Sequence, residues 1–230
     1  MPEDPDTLDP DTFQTEFFLG LDLGQTSDPS ALTVTERRVP IYRHELQGTE
    51  RGKPRYVVRH IKRFDLGTSY PDVVRQVAAV KEAPQTGHDP PIVLDATGLG
   101  GPVVDQFHEE GLAPVEIVFT SGQKPTKERG TGEAGRYGVP KRDLATLVQS
   151  LLQTHRLTIA EGLKEAGQLV QEMRTFRVKM TDSGHARFEH ANESDSDDVL
   201  LSLACALWYA ERAPDLKPLK AGHIILALND

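Results

Sequence analysis

Leucines at positions 19, 21 and 23 alternate with Gly20, Asp22 and Gly24. The run Phe17-Phe-Leu-Gly-Leu-Asp-Leu-Gly24 therefore predicts a strand with one apolar face and one face that carries a single carboxylate. The turn-forming Gln25-Thr-Ser-Asp-Pro29 ends it. Further apolar and polar alternation at 31–36 and 55–64, separated by a polar glycine-containing stretch, predicts an antiparallel meander of three strands.

Beyond residue 70 the pattern changes to alternating helix and strand, the mark of parallel crossover units. Val73, Val74, Val77 and Val80 share one face of a helix predicted over 71–82. Pro91-Ile-Val-Leu-Asp95 reads as a buried strand ending in an acid, and a glycine-rich turn then opens a helix over 102–110. A strand follows at 115–120. Pro140 suits the first turn of a helix whose stripe is Leu144, Leu147, Val148, Leu151 and Leu152. Another helix is expected over 163–176, then a hairpin formed by 177–180 and 186–190 around Thr181-Asp-Ser-Gly-His185. The last element, about 195–212, begins with Asp-Ser-Asp-Asp as cap and first turn. It is apolar on nearly every side, so it belongs in the core.

Composition narrows this picture. Of 230 residues 37% are hydrophobic, enough for one domain with a real core. The single Cys205 excludes a disulfide framework and a cysteine zinc cluster, and no apolar run is long enough to cross a bilayer. The opening MPEDPDTLDPDTFQTE is acidic and proline-bearing and does not read as a secretory signal, so a soluble chain in a reducing compartment is expected. The net charge is −9, but six acids lie in the first sixteen residues without a balancing cation, which leaves a nearly neutral body. Residues 1–16 are expected to form a disordered acidic tail, 17–212 one α/β domain and 213–230 a short tail. Local basic patches, not overall charge, must decide whether nucleic acid is a partner.

Three acids differ from ordinary surface acids. Asp22 and Asp95 lie in strongly apolar strands, and Asp198 opens an apolar helix. A buried carboxylate is costly unless it is paired, and a divalent cation would relieve that cost; donors that are all oxygen suit Mg²⁺ or Mn²⁺ better than zinc. Each acid taken singly reads better as a strand-end or cap residue satisfied by backbone amides; the three together read better as a cation site.

The succession Leu19-Gly-Leu-Asp-Leu-Gly24, Val93-Leu-Asp-Ala-Thr-Gly-Leu-Gly-Gly101, Val139-Pro-Lys-Arg-Asp-Leu144, Ala186-Arg-Phe-Glu-His190 and Asp197-Asp-Val-Leu-Leu-Ser-Leu-Ala204 resembles the nuclease domain of the tailed-phage large terminase subunit, over about residues 17–211. The resemblance implies an RNase H-like fold: a five-stranded mixed sheet, its first three strands antiparallel, flanked by helices, here with an extra β-hairpin before the last helix. It maps Asp22 to the first catalytic acid, Asp95 to the second and the Asp197-Asp198 pair to the third, with Asp198 favoured as ligand. Asp197 and Asp195 are further candidate metal ligands. Glu193 reads better as a first-turn acid that complements the helix dipole. Family members commonly carry His before the double Asp, where this chain has Ser196.

The implied reaction is hydrolysis of a DNA phosphodiester with little sequence preference, assisted by two Mg²⁺ or Mn²⁺ ions held by Asp22, Asp95 and Asp198. The double-stranded substrate would be held by the glycine-rich stretch 121–142 through Lys124, Lys127, Arg129, Arg136, Lys141 and Arg142. A second basic run at 51–63 is equally well a solvated sheet face. Gly130-Thr-Gly-Glu-Ala-Gly-Arg-Tyr-Gly138 lacks the lysine and hydroxyl pair of a P-loop. An ATPase motor, the small terminase subunit and the portal are therefore partners the resemblance implies from outside these residues, in the host cytoplasm during phage assembly. Asp22-Leu-Gly-Gln-Thr26 also fits the phosphate loop of actin-like sugar kinases. A Holliday-junction resolvase and an inactive RNase H-like scaffold remain open alternatives.

Overall fold

The computed structural model describes residues 10–24, 28–44, 48–87, 89–128, 134–175, 177–180, 186–189 and 196–213. The expectations on Gln25 and Thr26, Arg129, the turn at 181–185, Glu193, Asp195, and the ends 1–9 and 214–230 lie outside them.

Strands β1 (Thr12–Asp22), β2 (Ala31–His44) and β4 (Arg55–Arg63) form the expected antiparallel meander, and β3 (Gly48–Arg51) pairs with the far end of β2. β5 (Ile92–Asp95) lies parallel to β1, and β6 (Val115–Thr120) lies parallel to β5. The order β4-β2-β1-β5-β6 is the five-stranded core that the resemblance implied. Beyond β6 the sheet continues through β8 (Arg136–Pro140) to β7 (Thr126–Glu128), and on the other edge β9 (Leu157–Ile159) joins β4 in parallel.

Helices α1 (Tyr70–Lys81) and α2 (Gly101–Glu109) contribute to one core with Leu19, Leu21, Leu23, Leu32, Val34, Ile92 and Leu94. α3 (Lys141–Gln153), α4 (Ala166–Thr175) and α5 (Asp198–Ala210) share the other core with Phe18, Tyr56, Val58, Val93 and Ile117. The alternation in β1 thus separates leucines facing α1 and α2 from Gly20 and Asp22 facing α5. α5 crosses β1, β2 and β5, buried along almost its whole length. The hairpin β10 (Arg177–Met180) with β11 (Ala186–Glu189) forms a separate two-stranded sheet before α5. Among the described residues no helix is long and apolar enough to cross a membrane.

Two expectations change. β1 begins at Thr12, five residues before Phe17, because β2 is long enough to pair with it from Thr12↔Ile41 onward. The described residues of 121–142, expected as a glycine-rich stretch that holds DNA, include two strands: β7 and β8 pair antiparallel on the edge of the sheet, and Pro140, expected in the first helical turn, ends β8 as the N-cap of α3. Strands this short lack a periodicity of their own, and pairing, of β8 with β6 and of β7 with β8, decides their conformation.

Candidate active site

Asp22 and Asp95 are the last residues of parallel neighbours β1 and β5 and stand in register. Both side chains point to the α5 face, at the carboxyl ends of the strands where open α/β sheets bind ligands. The third contribution depends on how closely α5 approaches β1. A Cβ built on Gly20 would fall 1.9 Å from the Ser202 carbonyl oxygen, so only glycine admits the helix there. Two strand residues advance about 6.6 Å and one helical turn about 5.4 Å. Moving from Gly20 to Asp22 and back from Ser202 to Asp198 therefore brings the start of α5 level with the strand ends.

The electrostatics follow from this arrangement. Burial pushes the Asp22 carboxyl well above the usual carboxylate range, Asp95, Asp197 and Asp198 push it further, and Lys141 pulls it back. Asp95, 8% exposed, is raised to about 6, chiefly by burial, against a hydrogen bond donated by the Thr97 amide to its Oδ1 at 2.8 Å. A tight turn follows, closed by the Leu99 amide on the Ala96 carbonyl at 3.2 Å, in which Gly98 adopts φ 72°. Asp198 is raised by burial and lowered by Arg63, whose Nε donates to Asp198 Oδ2 at 2.8 Å. Lys141 Nζ lies 3.4 Å from Asp197 Oδ2 and 5.6 Å from the centre of the Phe119 ring.

Among the described residues no group of three or more His, Cys, Asp or Glu side chains stands ready to enclose a metal ion. Asp198 is turned to Arg63, Asp197 to Lys141, and one oxygen of Asp95 to the Thr97 amide. In chemistry the donors nevertheless fit a hard divalent cation: they are all carboxylate oxygens, and burial together with Asp95, Asp197 and Asp198 raises the proton affinity of Asp22.

The candidate DNA contacts divide. Lys141 belongs to the acid cluster. Arg136 reaches the buried Glu116 at 3.2 Å, and Arg142 donates to the Gln123 carbonyl at 2.8 Å and lies 3.5 Å from Asp143. Lys124 and Lys127 are exposed, with Lys127 Nζ 5.7 Å from the centre of the Tyr137 ring. In the other basic run, Arg59 binds the buried Glu36, which Arg38 on β2 also binds. Sequence reasoning missed two residues. Arg63 was one cation in a basic run, and Glu172, 1% exposed beneath the start of α5, was one position in the helix expected over 163–176.

A scan against protein-family models gives no match, and a search of curated proteins gives none either. Solved structures do match. The large terminase nuclease from thermophilic phage G20c superposes with a TM-score of 0.55 at 18% identity, over 86% of this chain and 82% of that one. The same nuclease with bound magnesium gives 0.54 at 17% identity, over 85% and 82%. The large terminase nuclease domain of Thermus phage P74-26 gives 0.50 at 17% identity, over 85% and 80%. The chain thus has the fold of large terminase nuclease domains, the RNase H-like fold that the sequence led one to expect.

Proposed function

We propose that this chain is a divalent-cation-dependent endonuclease that cuts double-stranded DNA with little sequence preference, as the nuclease of a genome-packaging terminase. The observation that supports the reading is that Asp22 and Asp95 end adjacent parallel strands in register, and that Asp95 together with Asp197 and Asp198 at the start of α5 raises the Asp22 carboxyl. The fold shared with terminase nucleases, one of them crystallised with magnesium, supports it.

Asp22, Asp95 and Asp198 would hold Mg²⁺ or Mn²⁺, with Asp197 beside them. When bound, two such ions supply a lowered pKa for the attacking water and charge neutralisation at the leaving 3′ oxygen. The chain's own residues do the rest. Thr97 fixes one Asp95 oxygen, Arg63 and Lys141 hold the late aspartate pair in charge balance, and the walls formed by α5 and the sheet limit water. Lys124, Lys127 and Arg142 on the edge hairpin and the start of α3 meet the phosphate backbone, which carries no sequence information. A motor ATPase, a small terminase subunit and a portal are the partners this reading implies.

Supercoiled plasmid incubated with the protein and Mg²⁺ or Mn²⁺ is expected to be nicked and then linearised, with no cutting in EDTA. Asp22→Asn, Asp95→Asn and Asp198→Asn are each expected to lose on the order of 10²-fold or more in rate while keeping the wild-type circular dichroism spectrum. Cutting that persists in chelator, or in Asp22→Asn, overturns the proposal. If Asp197→Asn is inactive and Asp198→Asn active, the principal ligand is the other member of the pair.

A further inference from the structure

Glu172 lies on α4, outside the strands that carry the acids, and is 1% exposed. Its Oε2 accepts from the Leu200 amide at 2.7 Å; its Oε1 accepts from Gln168 Nε2 at 2.8 Å and from Ser196 Oγ at 3.5 Å. Leu200 is the third residue of α5, so its amide is among those a helix leaves without an internal partner. The N-cap residue Asp197 makes no side-chain capping bond. The cap of α5 therefore comes from a different helix.

The same carboxylate joins a ring around the first turn. Arg63 donates through one terminal nitrogen to Ser196 Oγ at 3.0 Å and through Nε to Asp198 Oδ2 at 2.8 Å. Glu172, Ser196, Arg63 and Asp198 thus tie α4, the residue preceding the N-cap, β4 and the first residue of α5 together. What this ring fixes is the axial position and rotation of α5 at its start, and those decide where Asp197 and Asp198 stand opposite Asp22 and Asp95.

We propose that Glu172 is the positioning residue of the acid site, which anchors the first turn of α5 so that Asp197 and Asp198 face the strand-end carboxylates. This rests on the reading that those aspartates take a divalent ion. Glu172 is not itself a ligand: it is buried beneath the helix, and both its oxygens are committed to other donors. Groups that orient ligands from behind typically change metal affinity about 10–100-fold when removed.

The test is Mn²⁺ binding to the purified full chain, followed by calorimetry and by the electron paramagnetic resonance of free Mn²⁺. The set is wild type, Glu172→Ala, Glu172→Leu, Glu172→Gln and Asp22→Asn, each with a urea melt in EDTA to verify folding. Leu fills the space without accepting from the Leu200 amide; Gln keeps an oxygen acceptor. Expected is an affinity loss of about 10–100-fold in the Ala and Leu variants. Recovery to within a small factor of wild type is expected in Gln. In plasmid cutting, half-saturating Mn²⁺ is expected to rise in the Leu variant by the same factor while the rate at saturating Mn²⁺ changes little. Wild-type Mn²⁺ affinity in folded Glu172→Leu, with binding lost in Asp22→Asn, overturns the positioning role alone. If wild type and Asp22→Asn bind Mn²⁺ equally, the acid-site reading falls and this inference with it.

Discussion

Glu172 carries a second consequence at the scale of a single side chain, through its proton. Burial raises its carboxyl to about 7; Asp198 on α5 raises it too, while Gln168, the Leu200 amide and Arg63 on β4 act in the opposite direction. A folded-state pKa above the unfolded value means that the folded chain holds the proton more tightly. The stabilisation is complete below the unfolded value near 4.5 and is lost as pH rises through about 7. In EDTA, the urea midpoint of wild type is expected to fall between pH 5 and pH 8 by more than that of Glu172→Gln, the difference amounting to about 1–3 kcal/mol. Equal pH dependence in the two proteins would contradict the assignment. The same residue shows where sequence reading stops. Asp22, Asp95 and Asp198 were legible because a carboxylate inside an apolar run stands out. Glu172 and Arg63 sit in segments whose polar spacing is ordinary, and only the packing of α5 against α4 and β4 gives them their role.

Between elements, the contact that matters most is α5 against β1. Gly20 was visible in the sequence as a small residue on the face of Asp22, but nothing there said that a helix backbone would occupy its missing side chain. Gly20→Ala places a methyl group 1.9 Å from the Ser202 carbonyl oxygen and 2.9 Å from Thr33 Oγ1, so backbone must move. The variant is expected to be less stable by about 2–4 kcal/mol in urea unfolding, from overpacking against rigid partners. A loss below about 0.5 kcal/mol, the range of ordinary surface changes, would mean that α5 does not lie on β1 this closely. The meander, the crossover helices, the late hairpin and the buried last helix were all legible from periodicity. The strands β3, β7, β8 and β9 were not: at three to five residues each they owe their conformation to a neighbour already in the sheet.

Across the whole molecule, a chain of net charge −9 can approach a polyanion only where cations are gathered locally. The basic run on β4 is less available than its composition suggested, because Arg59 is drawn to Glu36 on β2 and Arg63 to Asp198. The β7–β8 edge offers a better approach: Lys124 and Lys127 are exposed there, and Arg142 braces the Gln123 carbonyl at the foot of the same hairpin. Each phosphate neutralised by such a cation releases counterions and adds about 0.9 to the steepness of affinity against salt. Cleavage-silent Asp95→Asn is the background in which to measure this, by fluorescence anisotropy of a labelled duplex across a NaCl series in EDTA. Adding Lys124→Ala and Lys127→Ala is expected to weaken binding equally for unrelated sequences and to flatten the log–log salt slope by about 1–2. A slope unchanged by the double substitution would move the duplex off this edge and leave the acid site without the approach assigned to it. A loss confined to one sequence would show base reading, which backbone contacts of this kind do not provide.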